Sequence, residues 1–263
     1  MEKLYTMEER PKIQVLYDAC NGIFSQKELP CFQQIQWLKN ILDIFEAVDV
    51  GIDEFSLHGT PQGLICGHTV SDITYIHIHE CDKFSIGVFC FPAGAVFPLH
   101  DHPGMTVLSK LLYGSLYVKA YDWLKVEKSS CGIISGVAST VMDGMLNAPC
   151  DTSILFPRSG GNIHSFTALT PCAILDVLSP PYSQQLGRPS TYFSDFSIPS
   201  LPGYAILEEK NLPEDLVVKG ARYLGPRLRY VCIDFKRKML LKHHSQARPY
   251  LGSTSSNAEL GNV

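Results

Sequence analysis

Among the nine cysteines of this 263-residue sequence there is no CxxC pair, and their number is odd. Neither a disulfide framework nor a cysteine-built zinc site is therefore expected, and a reducing compartment, cytosol or nucleus, fits the thiols best. No apolar run is long enough to span a bilayer. The opening MEKLYTMEER lacks the apolar core of a secretory signal, so export is not expected. Charge is sparse: 18% of the residues are charged, and the net charge of −4 leaves no basic field for direct nucleic-acid binding. Repeats of solenoid period are absent too. What is present, with 45% hydrophobic residues, is enough apolar mass for one sizeable domain with appendages.

Residues 6–48 carry helical periodicity. Ile13, Leu16, Tyr17, Cys20 and Phe24 recur at helical spacing, as do Ile35, Leu38, Leu42 and Phe45. TMEE supplies a capping box from Thr6 to Glu9. The prediction is a helical segment, residues 1–50, packed on a main body at 51–242. In that body short β-rich stretches (ITYIHIH, FSIGVFCF, TVLSKLLYG, LYVKAYDW, TSILFP, AILDVLSP, RLRYVCIDF) alternate with Gly, Pro, Asn and Asp, the pattern of a β-sandwich or barrel. Residues 183–226 are dense in turn formers and read as a long loop or lid with one short strand. Residues 243–263 are polar and read as a disordered tail. The preceding KRKMLLKHH reads as a solvated basic face, with a targeting patch as the alternative.

The most informative absence is a carboxylate. In GAVFPLHDHPGMTVLSKLLYG, Gly94 to Gly114, His100 and His102 sit one residue apart. Side chains alternate along a strand, so the two imidazoles project to one side and Asp101 to the other. A second pair of this kind, His77 and His79 in YIHIHE, shows that the spacing alone is not specific, and that pair reads as structural. The frame around the first pair is more telling. It resembles the first motif of the cupin superfamily, Gly-x5-His-x-His-x3,4-Glu-x6-Gly, at every position but the glutamate, where Thr106 or Val107 stands. FPRSGGNIHSFTA resembles the second cupin motif, with Pro157, the Gly160–Gly161 turn and His164. The resemblance implies a mainly β fold, a cupin double-stranded β-helix (jelly-roll) barrel, with His100, His102 and His164 as metal ligands and no carboxylate among them. Three neutral ligands leave the full charge on a divalent ion, which favours an incoming thiolate.

PLHDHPGMTVLSKLLYGSLYVKAYDW together with SGGNIHSFTALTPCAILDVLSPPYS is similar to the plant cysteine oxidases, relatives of the animal 2-aminoethanethiol dioxygenases. The similarity runs over residues 10–193 and returns in RYVCIDF. It implies one iron(II) per chain, dioxygen as co-substrate, and oxidation of an N-terminal cysteine to cysteine sulfinic acid. The implied partners are Cys-initiating proteins such as the group-seven ethylene-response transcription factors, which feed an N-degron pathway. The enzyme would then be an oxygen sensor, a monomer of cytoplasm and nucleus. Asp176 in LDVLSPPY matches the family's acidic residue near the iron and would pair with the substrate's α-ammonium. Tyr182 matches the tyrosine of the same loop and would hydrogen-bond near the iron-bound ligands. One departure stands out: family members carry His-Cys before the following Thr-Tyr, and here Pro189 and Ser190 take those places. Two other readings remain open from the residues, a three-histidine zinc enzyme and a non-catalytic ligand-binding cupin.

Overall fold

The computed structural model describes residues 10–52, 72–214 and 216–230. Two helices come first, α1 (Lys12–Phe24) and α2 (Phe32–Asp43), then a 3-10 turn at Ala47–Val50. The predicted stripes are the buried ones. Ile13, Leu16, Cys20, Leu38 and Leu42 are fully buried, and Phe45, just past the end of α2, joins the same cluster. α1 begins directly after Pro11; the Thr6–Glu9 capping box lies outside the described residues. α2 is started by the Cys31 amide, which donates to Gln34 Oε1 at 2.8 Å.

Twelve strands follow: β1 (Ile73–Glu80), β2 (Ser85–Phe91), β3 (Val96–Asp101), β4 (Thr106–Tyr113), β5 (Ser115–Lys128), β6 (Ile134–Asn147), β7 (Ser153–Leu155), β8 (Ile163–Ala168), β9 (Cys172–Ser179), β10 (Tyr192–Ser197), β11 (Tyr204–Lys210) and β12 (Val218–Ala221). One sheet has the order β12-β1-β2-β9-β4-β7, and the other, β10-β11-β6-β5-β8-β3, closes on itself. The pairings are nested: β2 with β9, β3 with β8, β4 with β7, β5 with β6. Successive strands therefore alternate between sheets as the chain winds inward and back, which is the double-stranded β-helix expected.

Burial follows from this layering. The helices pack on the outer face of the first sheet, in one apolar cluster with Ile76, Phe84, Ile86, Val88, Leu108 and Leu175. Its central strands are thus covered on both faces, and β2 reads SIGVFCF with almost no polar alternation. β5 instead alternates between buried and half-buried residues and then becomes wholly exposed toward its tip.

Two expectations need correction. Residues 183–226 hold three strands rather than one. β10 and β11 form a hairpin across Ile198–Gly203 and carry the sheet from β6 round to β3. The two prolines and the glycine of IPSLPG lie in its turn, and Phe193, Ala205 and Leu207 form its buried face. RLRYVCIDF is not a strand over its described part: residues 227–230 have no regular structure, and residues 231–235 lie outside the described residues. The basic run, the polar tail, Cys66 and Cys232 lie outside them as well. None of the described cysteines is joined in a disulfide.

Candidate metal centre

His100 lies near the end of β3, and His164 on β8 is its direct partner across the ladder. His102 follows one residue past the strand end, with its ring still beside His100. The ring centroids are 4.9 Å apart for His100–His102, 4.8 Å for His100–His164 and 4.8 Å for His102–His164. One ring nitrogen from each lies within 4.8 Å of the others, and all three residues are buried.

Each imidazole is held by a backbone carbonyl at Nδ1. The partners are Pro98 O at 2.9 Å for His100, Asn162 O at 3.1 Å for His102 and Gly161 O at 3.4 Å for His164. A carbonyl only accepts, so each Nδ1 must carry the proton and each Nε2 is left with its lone pair. Burial pushes His100 down to about 4 and His102 to about 3, and holds His164 well below the usual histidine value; the neighbouring rings push His102 and His164 the same way. Three neutral imidazoles with free, converging lone pairs fit a divalent transition metal without further rearrangement of protonation. Where the cupin motif has glutamate, Val107 is buried in an apolar cluster with Met105 and Leu155. Asp101 is not one of the three converging residues. Its carboxylate accepts from the Thr191 amide at 2.8 Å, which ties β3 to the start of β10.

The residue that holds this arrangement, Asn162, stands at no position that motif spacing marks. Asn162 is buried and bonded on every side. Its Oδ1 accepts from the His102 amide at 3.1 Å, and its Nδ2 donates to His102 O at 3.0 Å and Phe156 O at 2.9 Å. Its carbonyl is the one that orients His102. The Gly161 and Asn162 amides both donate to Asp122 Oδ1, at 2.9 and 3.0 Å. The turn that aims them requires two consecutive left-handed residues, Gly160 (φ 87°) and Gly161 (φ 82°), and a Cβ on Gly161 would come within 2.7 Å of Ala120 Cβ. Replacing Asn162 by alanine is therefore expected to weaken metal affinity roughly 10- to 100-fold, as loss of such outer partners does. A competition titration against a chromophoric chelator measures this, and unchanged affinity would exclude the role.

The histidines open into a cavity of about 370 Å³. Phe89, Phe91, Phe97 and Phe166 line it, with the Phe166 ring 4.5 Å from His164. Asp176, on β9, lines it too, and the Ser109 hydroxyl donates to its carboxylate at 2.6 Å. Burial pushes that carboxyl up to about 7, against the pull of the Ser109 bond. Tyr182 lines the cavity with its ring 5.5 Å from that of His102, but its hydroxyl donates to Asp101 O at 2.7 Å. Its hydrogen bond thus pins the backbone between the two histidines. Of the other pair, His79 packs against Tyr17 and Phe84, with ring centroids 4.8 and 4.9 Å away, and His77 is exposed.

The PCO_ADO family model matches residues 41–228. The chain belongs to the PCO_ADO family. Plant cysteine oxidase 1 of Arabidopsis thaliana is 41% identical over 232 residues, covering 81% of this chain and 79% of that protein. Plant cysteine oxidase 2 of the same plant is 39% identical over 237 residues, 82% of this chain and 83% of that one. Human 2-aminoethanethiol dioxygenase is 29% identical over 245 residues, 80% of this chain and 87% of that one. As a member of this family the chain is a dioxygenase, and among the described residues the buried histidine triad is a group that could hold a metal cofactor. Among the described residues no helix is long and apolar enough to cross a membrane.

Proposed function

We propose that this PCO_ADO-family enzyme is an iron(II)-dependent thiol dioxygenase acting on N-terminal cysteine. The observation that carries the reading is one cavity holding three neutral histidines with free Nε2 atoms and, deep beside them, the buried carboxylate of Asp176, which among the described residues has no salt bridge. The overall change is R–SH + O2 → R–SO2H: the thiol sulfur gains two S–O bonds, the O–O bond breaks, and sulfur supplies the four electrons. An iron(II) ion held by His100, His102 and His164 would supply the dipositive charge that acidifies the thiol and the redox centre that activates dioxygen.

The chain's own residues do the rest. Asp176 binds the α-ammonium, as an ion pair in a confined site. Ser109 fixes the direction of that carboxylate, and the phenylalanine wall excludes water while the thiol is held deprotonated. Tyr182 is assigned a positioning role through Asp101 rather than the direct contact expected from the loop motif. None of the chain's own cysteines is required. The targets proposed are Cys-initiating proteins of the group-seven ethylene-response factor kind, with oxidation marking them for an N-degron pathway, by a monomer of cytoplasm and nucleus. Because uncharged dioxygen offers protein few contacts, turnover should follow its concentration, which is the property of an oxygen sensor.

The test is reconstitution of metal-free enzyme under nitrogen with iron(II) or with zinc(II), followed by initial rates on a Cys-initiating peptide across dissolved oxygen levels. Iron alone should restore activity, with a rate that still climbs between hypoxic and air-saturated buffer. Activity with zinc would overturn the iron assignment. A rate saturated already under hypoxia would leave the dioxygenase and remove the sensor.

A further inference from the structure

One side of the cavity wall is made by β1, β2 and β9, with Ser109 of β4 beside them. Gly87 faces Asp176, which faces Ser109, and opposed residues project to the same side of a sheet. Gly87 leaves a gap in that row, and Tyr75 fills it. A Cβ at Gly87 would come within 2.4 Å of Tyr75 Oη, and the Tyr75 ring is braced by Phe89, with centroids 4.8 Å apart. Two residues along, Glu80 faces Ser85 and Ser85 faces Leu178. All of these except Gly87's absent side chain bring side chains to the same cavity, whose lining among the described residues holds two carboxylates, Asp176 and Glu80, and no lysine or arginine. Arg188, in the following loop, donates to Pro181 O at 3.4 Å and is not part of the lining. Glu80 is exposed, and among the described residues its carboxylate forms no salt bridge; the groups it acts on electrostatically are Tyr75 and His79. Burial and both carboxylates push the Tyr75 hydroxyl up to about 12, so it stays neutral between them.

Strand spacing and rise put Glu80 roughly 12 Å from Asp176, backbone to backbone, two strands across and two residues along. An extended peptide covers that in about three residues. With its ammonium at Asp176, a substrate would pass Tyr75 and bring its second or third side chain to Glu80. Resting on the dioxygenase reading above, we propose that Glu80 is the specificity-determining residue of the entrance, favouring protein N-termini with lysine or arginine at the second or third residue and disfavouring acidic ones.

An exposed ion pair shifts an equilibrium by up to roughly fivefold, and reversing the charge of one partner adds to this, so kcat/KM for a lysine peptide should exceed that for its glutamate counterpart by about tenfold at low salt. The experiment compares Cys-initiating peptides with lysine or glutamate at the third residue, and a second pair varied at the second, on iron-loaded enzyme. In Glu80→Gln the lysine-to-glutamate ratio should fall toward one, in Glu80→Lys it should invert, and in the wild type it should shrink as salt rises. Metal content is read alongside to show that the site is intact. A wild-type ratio near one at both positions, or a ratio that survives Glu80→Gln, overturns the proposal. If no peptide is oxidised by any variant while metal loads normally, it is the dioxygenase reading that fails, and this inference falls with it.

Discussion

Replacing His100, His102 or His164 with alanine should empty the site and abolish turnover. Each imidazole is one of only three protein donors that converge there among the described residues, and each is held in the tautomer that frees Nε2. Loss of an outer partner alone costs roughly 10- to 100-fold in affinity, so loss of a ligand should exceed about a hundredfold. Metal analysis after anaerobic loading gives the answer independently of activity. His77→Ala and His79→Ala should load normally. His79→Ala should lower thermal stability by about 1–3 kcal/mol, because its ring packs between Tyr17 and Phe84. Normal loading of His164→Ala, or loss of metal in His77→Ala, would break the assignment.

Asp176→Asn keeps the shape and an oxygen acceptor for Ser109 but removes the charge. A charge-assisted contact to an ammonium is worth about 1.5–3 kcal/mol, which predicts a tenfold to hundredfold fall in kcat/KM with metal content unchanged. The pH profile carries the sign of the effect. The carboxylate is the binding form, and burial has pushed its pKa up to about 7. Efficiency should therefore fall as pH drops through that region, at or below about 7, since a cation in the site favours the charged form. It should fall again above about 8 as the peptide's amine loses its proton. Asp176→Asn should lose the acidic limb. Wild-type kinetics in this variant would take Asp176 out of the substrate site, and an unchanged acidic limb would assign that limb to another group.

The parts of this site that could be read in the chain are those carried by local spacing. His100 and His102 advertise themselves as alternate residues of a strand, and His164 through the Gly-Gly turn before it. The helical stripes and the short apolar strands were legible for the same reason, that burial of one face imposes a period. Asn162 was not, because His102, whose amide and carbonyl it joins, is 60 residues away and comes near only after β3 and β8 have paired. Asp122 is 39 residues from the Gly161 amide it accepts, and a lone aspartate leaves no period. Tyr75 and Gly87 are intelligible only as a pair, a ring seated in the space of a missing side chain on the next strand. The β10–β11 hairpin was hidden by its own turn residues, whose density over 198–203 resembles that of a structureless loop. Tyr182 was found by motif, yet which way its hydroxyl donates depends on a carbonyl 81 residues away.

The central claim is tested most directly by mass spectrometry of a Cys-initiating peptide incubated with iron-loaded enzyme under isotopically labelled dioxygen in unlabelled water. The account predicts a product that has gained two oxygen atoms at the N-terminal cysteine, both labelled, with no gain when that amine is acetylated or the cysteine is moved one residue inward. A peptide that is unchanged, or one whose added oxygen comes from water, would contradict it.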